Sequence, residues 1–567
     1  MKLKQRKSLF SKLIALCLAV VMMMSLGMTV SAAVTADSQK DVTVNGLDQG
    51  TTVSIYKVID VNINANGQPE NPMYTWTNGM ADWLKTHKNE TYKGYIDAAT
   101  NAVTDKFQQG TTAEEFRSFW HDVEAGIKDR TISLTPAKDD ATVPAGGSSV
   151  EFTDVAMGEY LLTAKGGVKI YQPTTVLLVP KYDEDSSEWT LGDAVVGTAA
   201  QMKGEEPGID KSVKDNVDDP ADNTVAVGDT VTFLLKADVP SYPEDATAKK
   251  FIISDKLGTG LAFKGTVSKS TVHVWSDAAA TQAIDQAWYD VQPDWTDPKK
   301  KETRTFAVIF NDDFFEKYKG TNVYVTYDAE VTEDAFATGQ DGVVENDTFL
   351  GYNNDPYNTN GYEEDTDKEK GYTYVISLEK VDSKGDAIKN NEAVFQLKDP
   401  EGKLMYFNGT AGLYKYNSKN TASTQGVTAD LATDANGVLK IQGLDEGVYT
   451  LTETQAPNGY VLPNGTITIT ITDDEPDGKI DDLSVNSGPG NVSSTGSAAL
   501  HPGADNKAYS ISGTTISFDV ENTSADEAGF QLPTTGGMGT MIFTIAGILL
   551  MGGAVALIVV AARKKRG

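Results

Sequence analysis

The residues of this chain most plainly suited to chemistry are Leu532-Pro533-Thr534-Thr535-Gly536. They are suited to being acted on rather than to acting. An enzyme that cuts a peptide bond and hands its acyl half to an amine needs an extended, accessible backbone. Pro533 fixes its own φ and biases Leu532 toward extended geometry, and Gly536 leaves little bulk behind the bond to be cut. Residue types for hydrolytic or metal chemistry are sparse by comparison. The four histidines, His87, His121, His273 and His501, are far apart in sequence, and the one cysteine, Cys17, lies in an N-terminal apolar run. Nothing there suggests a histidine-based triad or a zinc site, so the sequence implies no cofactor, no metal and no enzyme.

The flanks of the pentapeptide give it meaning. Met541 to Ala562 is an uncharged apolar run long enough for one transmembrane helix. The cluster Arg563-Lys564-Lys565-Arg566 after it belongs on the cytoplasmic side. At the other end, Lys2, Lys4, Arg6, Lys7 and Lys12 precede the apolar stretch Leu13 to Leu26. The small residues of Ser31-Ala32-Ala33 and Val34-Thr35-Ala36 follow, which marks residues 1–36 as a secretory signal peptide. The C-terminal arrangement resembles the sorting signal of Gram-positive sortase substrates. That resemblance implies cleavage between Thr535 and Gly536 and transfer of the Thr535 acyl group to an amine. It also implies sortase and peptidoglycan as partners.

All 80 acidic residues lie between these two targeting segments, which hold nine of the 49 lysines and arginines. The exported part therefore carries 40 basic against 80 acidic residues, a net charge of about −40. Such a surface repels nucleic acid and anionic lipid and favours solubility. It contains no cysteine, so its robustness cannot come from disulfides.

About 500 residues between the signals imply roughly three domains. Short alternating apolar runs such as Thr174–Val179, Val231–Leu235, Val323–Tyr327 and Thr466–Ile471 alternate with Gly, Asn, Asp and Pro turns, which predicts an all-β protein of tandem immunoglobulin-like β-sandwiches. A small helical insertion interrupts the first domain between about Ala81 and Ile127. The expected divisions are an N-terminal domain at 37–202, a middle domain at 203–356, an acidic linker at 357–373, a C-terminal domain at 374–523, and a sorting region at 524–567. Ser484 to Gly503 reads as a loop inserted before the last strand. The acidic run 473–484 has part of a calcium-loop spacing, but Pro476 intrudes and Ser484 stands where a bidentate glutamate is needed. It reads as a strand-connecting turn. Gly447-Val448-Tyr449-Thr450-Leu451-Thr452-Glu453 echoes Gly158-Glu159-Tyr160-Leu161-Leu162-Thr163-Ala164, a weak sign of repeated domains.

Within the C-terminal domain, Tyr449-x-Leu451-x-Glu453-x-x-Ala456-Pro457-x-Gly459-Tyr460 stands with Lys380 in Ser377–Asp382 and Asn522 in Phe518–Thr523. This set resembles the collagen-adhesin B-type (CnaB-like) domain over roughly 374–523. That family forms an internal Lys–Asn isopeptide bond. The resemblance implies Lys380 as nucleophile, Glu453 as the acid and Asn522 as the acceptor amide. The chemistry requires a lysine made neutral by burial, an amide carbon held within reach, and a buried carboxylic acid of raised pKa to polarise the amide and move protons. The middle domain resembles the A-type (CnaA-like) fimbrial isopeptide domain through Pro207–Val213, Ile253–Leu257 with Gly260–Phe263, and Asn346–Asn354. That resemblance implies Lys211, Asp255 and Asn346 in the same roles. Alternation puts Asn346 and Asn354 on one face, so Asn354 is an alternative acceptor. A Lys211–Asn346 bond would tie first strand to last. In the first domain Lys57 is the corresponding lysine, but Ala164 stands at the would-be acid position, and no crosslink is expected.

A polymerising pilin also needs a surface lysine to attack the Thr535 acyl-enzyme. Backbone pilins carry it in a Val-x-Val-Tyr-Pro-Lys run near the end of the first domain. Thr175-Val176-Leu177-Leu178-Val179-Pro180-Lys181 matches in part, with the tyrosine displaced to Tyr182, and Lys203 is the alternative. The chain thus resembles the sortase-assembled major (backbone) pilins, with identical subunits as its polymer partners. Minor pilins and host surface ligands are further partners that the resemblance allows. The alternative reading is a wall-anchored adhesin or ancillary pilin that binds a host ligand.

Overall fold

The computed structural model describes residues 34–526 apart from 36, 88, 186, 192–199, 215–222, 244–245, 476, 484–489 and 504–505. Nearly all of the expected signal peptide, the Leu532–Gly536 motif and the expected transmembrane helix lie outside the described residues. Among the described residues no helix is long and apolar enough to cross a membrane. The chain forms two compact units. The first takes the chain up to Asp222 with Thr230–Val331 and Val344–Lys370. The second takes Asn223–Asp229, Thr332–Val343 and the chain from Gly371.

Strand dominates, as the alternating runs predict. In the N-terminal part of the first unit, strand Gln39–Asn45 pairs antiparallel with Ser149–Ala156. Strand Thr52–Ile63 lies between Pro69–Trp76 and Gly158–Lys165, with Thr174–Leu178 beyond. Inward residues of both sheets, among them Val42, Val44, Val53, Ile55, Phe152, Leu162 and Leu178, share one core. The helical insertion is present as helices Asn78–Thr86 and Ala113–Lys128 with shorter turns between them. Helix Ala113–Lys128 starts at a capping box: Thr112 accepts from the Glu115 amide and Glu115 accepts from the Thr112 amide. Its buried face presents Phe119, Trp120 and Val123. Phe119 meets Trp76, Trp83, Tyr92, Tyr95, Phe107 and Trp120, with ring centroids 4.9–6.2 Å away.

The rest of the first unit is a two-sheet sandwich. One sheet runs Ile209–Val213, Thr230–Asp238, Asn322–Val331 and Leu261–Phe263, with Val272–Trp275 also on Asn322–Val331. The other runs Tyr289–Pro293, Phe306–Phe310, Phe251–Leu257, Val343–Tyr352 and Glu363–Tyr372. Period-2 geometry turns Val231, Phe233, Leu235 and Ala237 of one strand inward, and Val323, Val325 and Tyr327 of another. The edge strand Glu363–Tyr372 differs from the sequence reading, which gave 357–373 as an acidic linker and made Asn346 part of the last strand. Its composition hides it, because it carries almost no apolar residues to alternate. It is held by its charges: Asp365 Oδ2 accepts the Ile209 amide at 3.1 Å and Asp367 Oδ2 the Lys211 amide at 2.7 Å. Those two amides belong to the edge strand of the opposite sheet, so the carboxylates close the sandwich along one side.

In the second unit, strand Tyr374–Val381 lies between Val438–Leu444 (antiparallel) and Thr515–Glu521 (parallel). The facing sheet runs Leu431–Ala432, Val394–Lys398, Gly447–Gln455, Ile467–Ile471 and Val492–Ser494. A parallel pair requires a crossover, and here the crossover is almost the whole unit. The stretch 484–503, read from sequence as a loop, contributes short strands Val492–Ser494 and Ala499–His501 to the two sheets.

Candidate functional sites: two buried lysine triads

The middle sandwich encloses Lys211. Its strand pairs Lys211 with Leu235, and Asp367 fixes its backbone amide. The side chain points into the core with no exposure. Its ammonium donates to Asp255 Oδ2 and, at 3.0 Å, to the Tyr327 hydroxyl. It also lies over the Phe233 ring at 4.8 Å. Asp255 and Asn346 come from the opposite sheet, on adjacent antiparallel strands where Asp255 pairs with Thr348 and Leu257 with Asn346. Asn346 is fully buried, and its Nδ2 donates to the same Tyr327 hydroxyl at 2.6 Å. Amine and amide nitrogen are therefore one oxygen apart. Burial pushes the Asp255 carboxyl up, opposed by the Lys211 charge. Burial pushes the Lys211 ammonium down, opposed by Asp255. The joint direction favours an uncharged amine beside an uncharged acid.

Lys380 sits in the second unit on the strand that meets Thr515–Glu521, opposite Val520. Asn522 follows that partner strand directly, and its amide donates to the Val381 carbonyl at 3.0 Å. Lysine and asparagine thus come from neighbouring strands of one sheet, while Glu453 reaches in from the facing sheet. Lys380 Nζ donates to Glu453 Oε2 at 3.1 Å, with the lysine side chain unexposed and the glutamate 3 % exposed. Burial brings the Lys380 ammonium down to about 8 despite Glu453, and burial raises Glu453. Asn522 Nδ2 donates to the Val461 carbonyl at 2.9 Å.

The two triads share one anomaly. Asp255 Oδ1 and Asn346 Oδ1 are buried without a hydrogen-bond partner, and so are Glu453 Oε1 and Asn522 Oδ1. In each case the acid's second oxygen and the amide oxygen are both acceptors lacking a donor, which is costly for buried polar atoms.

The remaining candidates fall elsewhere. Asn354 is buried, but its Nδ2 donates to the Gly167 carbonyl at 2.7 Å, and it does not join Lys211. Lys57 pairs with Asp60 at 2.8 Å with its side chain 31 % exposed, and Ala164 lies opposite Val53. Lys181 is exposed on strand Pro180–Asp183, opposite Thr190 of strand Glu188–Leu191. Lys203 is exposed on strand Lys203–Glu205, opposite Gln172. Among the described residues neither has an ion-pair partner. Asp473, first of the acidic run, accepts from the Tyr374 hydroxyl at 2.9 Å and the Gly478 amide at 3.0 Å, which makes it a turn-forming side chain. Among the described residues no cluster of three or more potential ligands could hold a metal.

Sequence reasoning missed Tyr327. It lies in Val323–Tyr327, singled out only as a strand, and an inward tyrosine on a strand looks like any other core aromatic.

Two family models match the chain: a prealbumin-like fold domain over residues 375–483, which spans Lys380 and Glu453, and an LPXTG cell wall anchor motif over residues 526–566. The chain is homologous to the trypsin-resistant surface T6 protein of Streptococcus pyogenes, 24 % identical over 474 residues that make up 80 % of this chain and 76 % of that one. Its fold is similar to that of the T6 backbone pilin of serotype M6 Streptococcus pyogenes, a modular three-domain structure with variable loops and extensions. The match covers 87 % of this chain and 100 % of that one, at 18 % identity and a TM-score of 0.50.

Proposed function

We propose that this chain, a backbone pilin with an LPXTG anchor at the wall of a Gram-positive bacterium, is a covalently polymerised shaft subunit that stiffens itself with two internal Lys–Asn amide bonds. The observation that carries the reading is that each triad leaves one oxygen of its acid and the oxygen of its amide buried without a donor, beside a buried lysine. A proton on the acid supplies the missing donor. It polarises the amide carbonyl, and the neutral lysine amine attacks the asparagine Cγ. The Nζ–Cγ bond forms, the Cγ–Nδ2 bond breaks, and the amide nitrogen leaves as ammonia with a proton that began on the lysine. A site that excludes water and holds the partners in contact provides most of the acceleration such a reaction needs. The chemistry is a single turnover on the chain itself.

Between subunits, a sortase would cleave after Thr535 and pass its carboxyl to a lysine of the next copy, with the last subunit passed to peptidoglycan. Lys181 is the first candidate for that lysine and Lys203 the second, both supported by exposed ammonium groups outside any ion pair among the described residues. Denaturing gels of wall extract test the polymer. A high-mass ladder is expected, lost in Lys181→Ala or, for the second candidate, in Lys203→Ala. A single monomer-sized band in cells that contain the sortase would sink the polymer reading.

A further inference from the structure

We propose that Tyr327 is a catalytic residue of the Lys211–Asn346 crosslink, its hydroxyl carrying a proton from the attacking amine to the departing amide nitrogen. The inference rests on the crosslink reading above and goes one step further. The hydroxyl oxygen accepts from Lys211 Nζ at 3.0 Å and from Asn346 Nδ2 at 2.6 Å. It therefore touches both nitrogens whose bonds to Cγ are exchanged, one forming and one breaking. When Nζ bonds to Cγ it carries a proton too many, and Nδ2 needs one before it can leave. The hydroxyl takes the proton from Nζ and gives its own to Nδ2. Ammonia departs, and the phenol ends as it began.

The surroundings fit this role. Tyr327 is 1 % exposed, and its ring is held by Phe233 and Phe263, stacked at 5.5 and 6.0 Å, and by Phe306 edge-on at 4.8 Å. Burial raises the phenol well above its ordinary value, which favours passing one proton on as another arrives over forming a phenolate. The second triad is arranged differently at the leaving nitrogen. There the acid is Glu453, one methylene longer than Asp255, and Asn522 Nδ2 donates to the Val461 carbonyl rather than to a hydroxyl. Glu453 Oε2 is engaged at Lys380 Nζ just as Asp255 Oδ2 is at Lys211 Nζ, so the two acids act alike at the amine and the hydroxyl bridge is a feature of the first triad.

The test uses the full-length chain made without a sortase, digested after denaturation and mapped by mass spectrometry at both lysines. Tyr327→Phe keeps the ring packing and removes only the hydroxyl. The expected result is a Lys211–Asn346 link that is absent or forms about 100-fold more slowly, a loss typical of a missing proton-transfer group, with the Lys380–Asn522 link intact as internal proof of folding. A Tyr327→Phe chain linked at Lys211 as fully as the unaltered chain overturns the proposal. An unaltered chain unlinked at Lys211 overturns instead the crosslink reading beneath it. Incorporation of 3-fluorotyrosine at position 327 separates relay from positioning, since it keeps the contacts but makes the hydroxyl more acidic. A changed linking rate supports the relay, and an unchanged rate beside a lost link in Tyr327→Phe overturns it.

Discussion

Asn522→Ala removes the acceptor of the second triad and leaves Lys380 as a buried amine. Two consequences have magnitudes. The proposed crosslink would close a loop from 380 to 522, and by the chain-entropy relation for covalent bridges its loss would cost about 5 kcal/mol. For a unit of about 150 residues that lowers the melting temperature by roughly 10–20 °C. The second consequence is a pH dependence that the crosslinked chain lacks. Burial depresses the folded Lys380 from 10.5 to about 8. Between these values the unfolded lysine holds a proton that the folded one has shed, so stability rises with pH across that window. The penalty for burying the amine is absent above 10.5 and complete once the pH has fallen through about 8. Each tenfold loss of proton affinity is worth about 1.4 kcal/mol, so the full penalty is about 3 kcal/mol. Of this, about 2 kcal/mol should be relieved between about pH 7.5 and about pH 10. In the linked chain Lys380 is an amide nitrogen with no such proton. Calorimetry of variant and unaltered chain at both pH values, taken as a difference, cancels the other titrating groups. A variant transition within a few degrees of the unaltered one refutes the crosslink, and a difference that is flat with pH refutes the buried-amine argument.

Asp255→Ala should leave the middle sandwich unlinked, so the chain retains one more ammonia in intact mass than the unaltered protein. It also leaves the buried Lys211 amine without its acidic partner, which should destabilise the middle sandwich. Phe119→Ala empties the centre of the aromatic cluster beneath the helical insertion, and should cost about 3–5 kcal/mol and flatten the near-ultraviolet circular dichroism of Trp76, Trp83 and Trp120. Asp473→Ala leaves the Tyr374 hydroxyl without its acceptor and should destabilise the second unit by about 1–3 kcal/mol. A chelator should leave that unit's transition unmoved, and a clear downward shift would mean that the acidic turn holds a cation after all.

The members of the triads were legible, and the way they are brought together was not. Lys380, Glu453 and Asn522 stand in a dense signature, so their resemblance to a known family is specific. Their roles demand only burial and proximity. That Lys380 and Asn522 meet across a parallel pair of strands, while Lys211 and Asn346 meet across two facing sheets, depends on pairings between residues more than a hundred positions apart. No local pattern encodes them. The face rule for Val343–Tyr352 likewise kept both Asn346 and Asn354 as acceptors, because alternation fixes a side and not a depth. The hydroxyl of Tyr327 supplies what alternation cannot, since it binds Asn346 and Lys211 together while Asn354 is spent on Gly167.

The strand Glu363–Tyr372 changes the mechanical argument. Read from sequence, a Lys211–Asn346 bond ties first strand to last, so that tension bypasses the sandwich. The sheet in fact continues past Asn346 through residues 347–352 and then Glu363–Tyr372, and these lie outside the covalent loop. With the proposed Lys211–Asn346 bond, a force entering before Lys211 and leaving beyond residue 370 would cross that bond and then run along this outer segment. What resists peeling there is the pairing of Val343–Tyr352 with Phe251–Leu257 and the grip of Asp365 and Asp367 on the Ile209 and Lys211 amides. The last of these is made at Lys211, the residue proposed to bear the crosslink. The charged strand therefore returns part of the load to Lys211 through a charge-assisted hydrogen bond, stronger than a neutral one. In the second unit Asn522 lies one residue beyond its strand, Thr515–Glu521. The proposed bond to Lys380 would enclose nearly all of both sheets, so the bypass inferred for the middle sandwich would apply more fully to the C-terminal one.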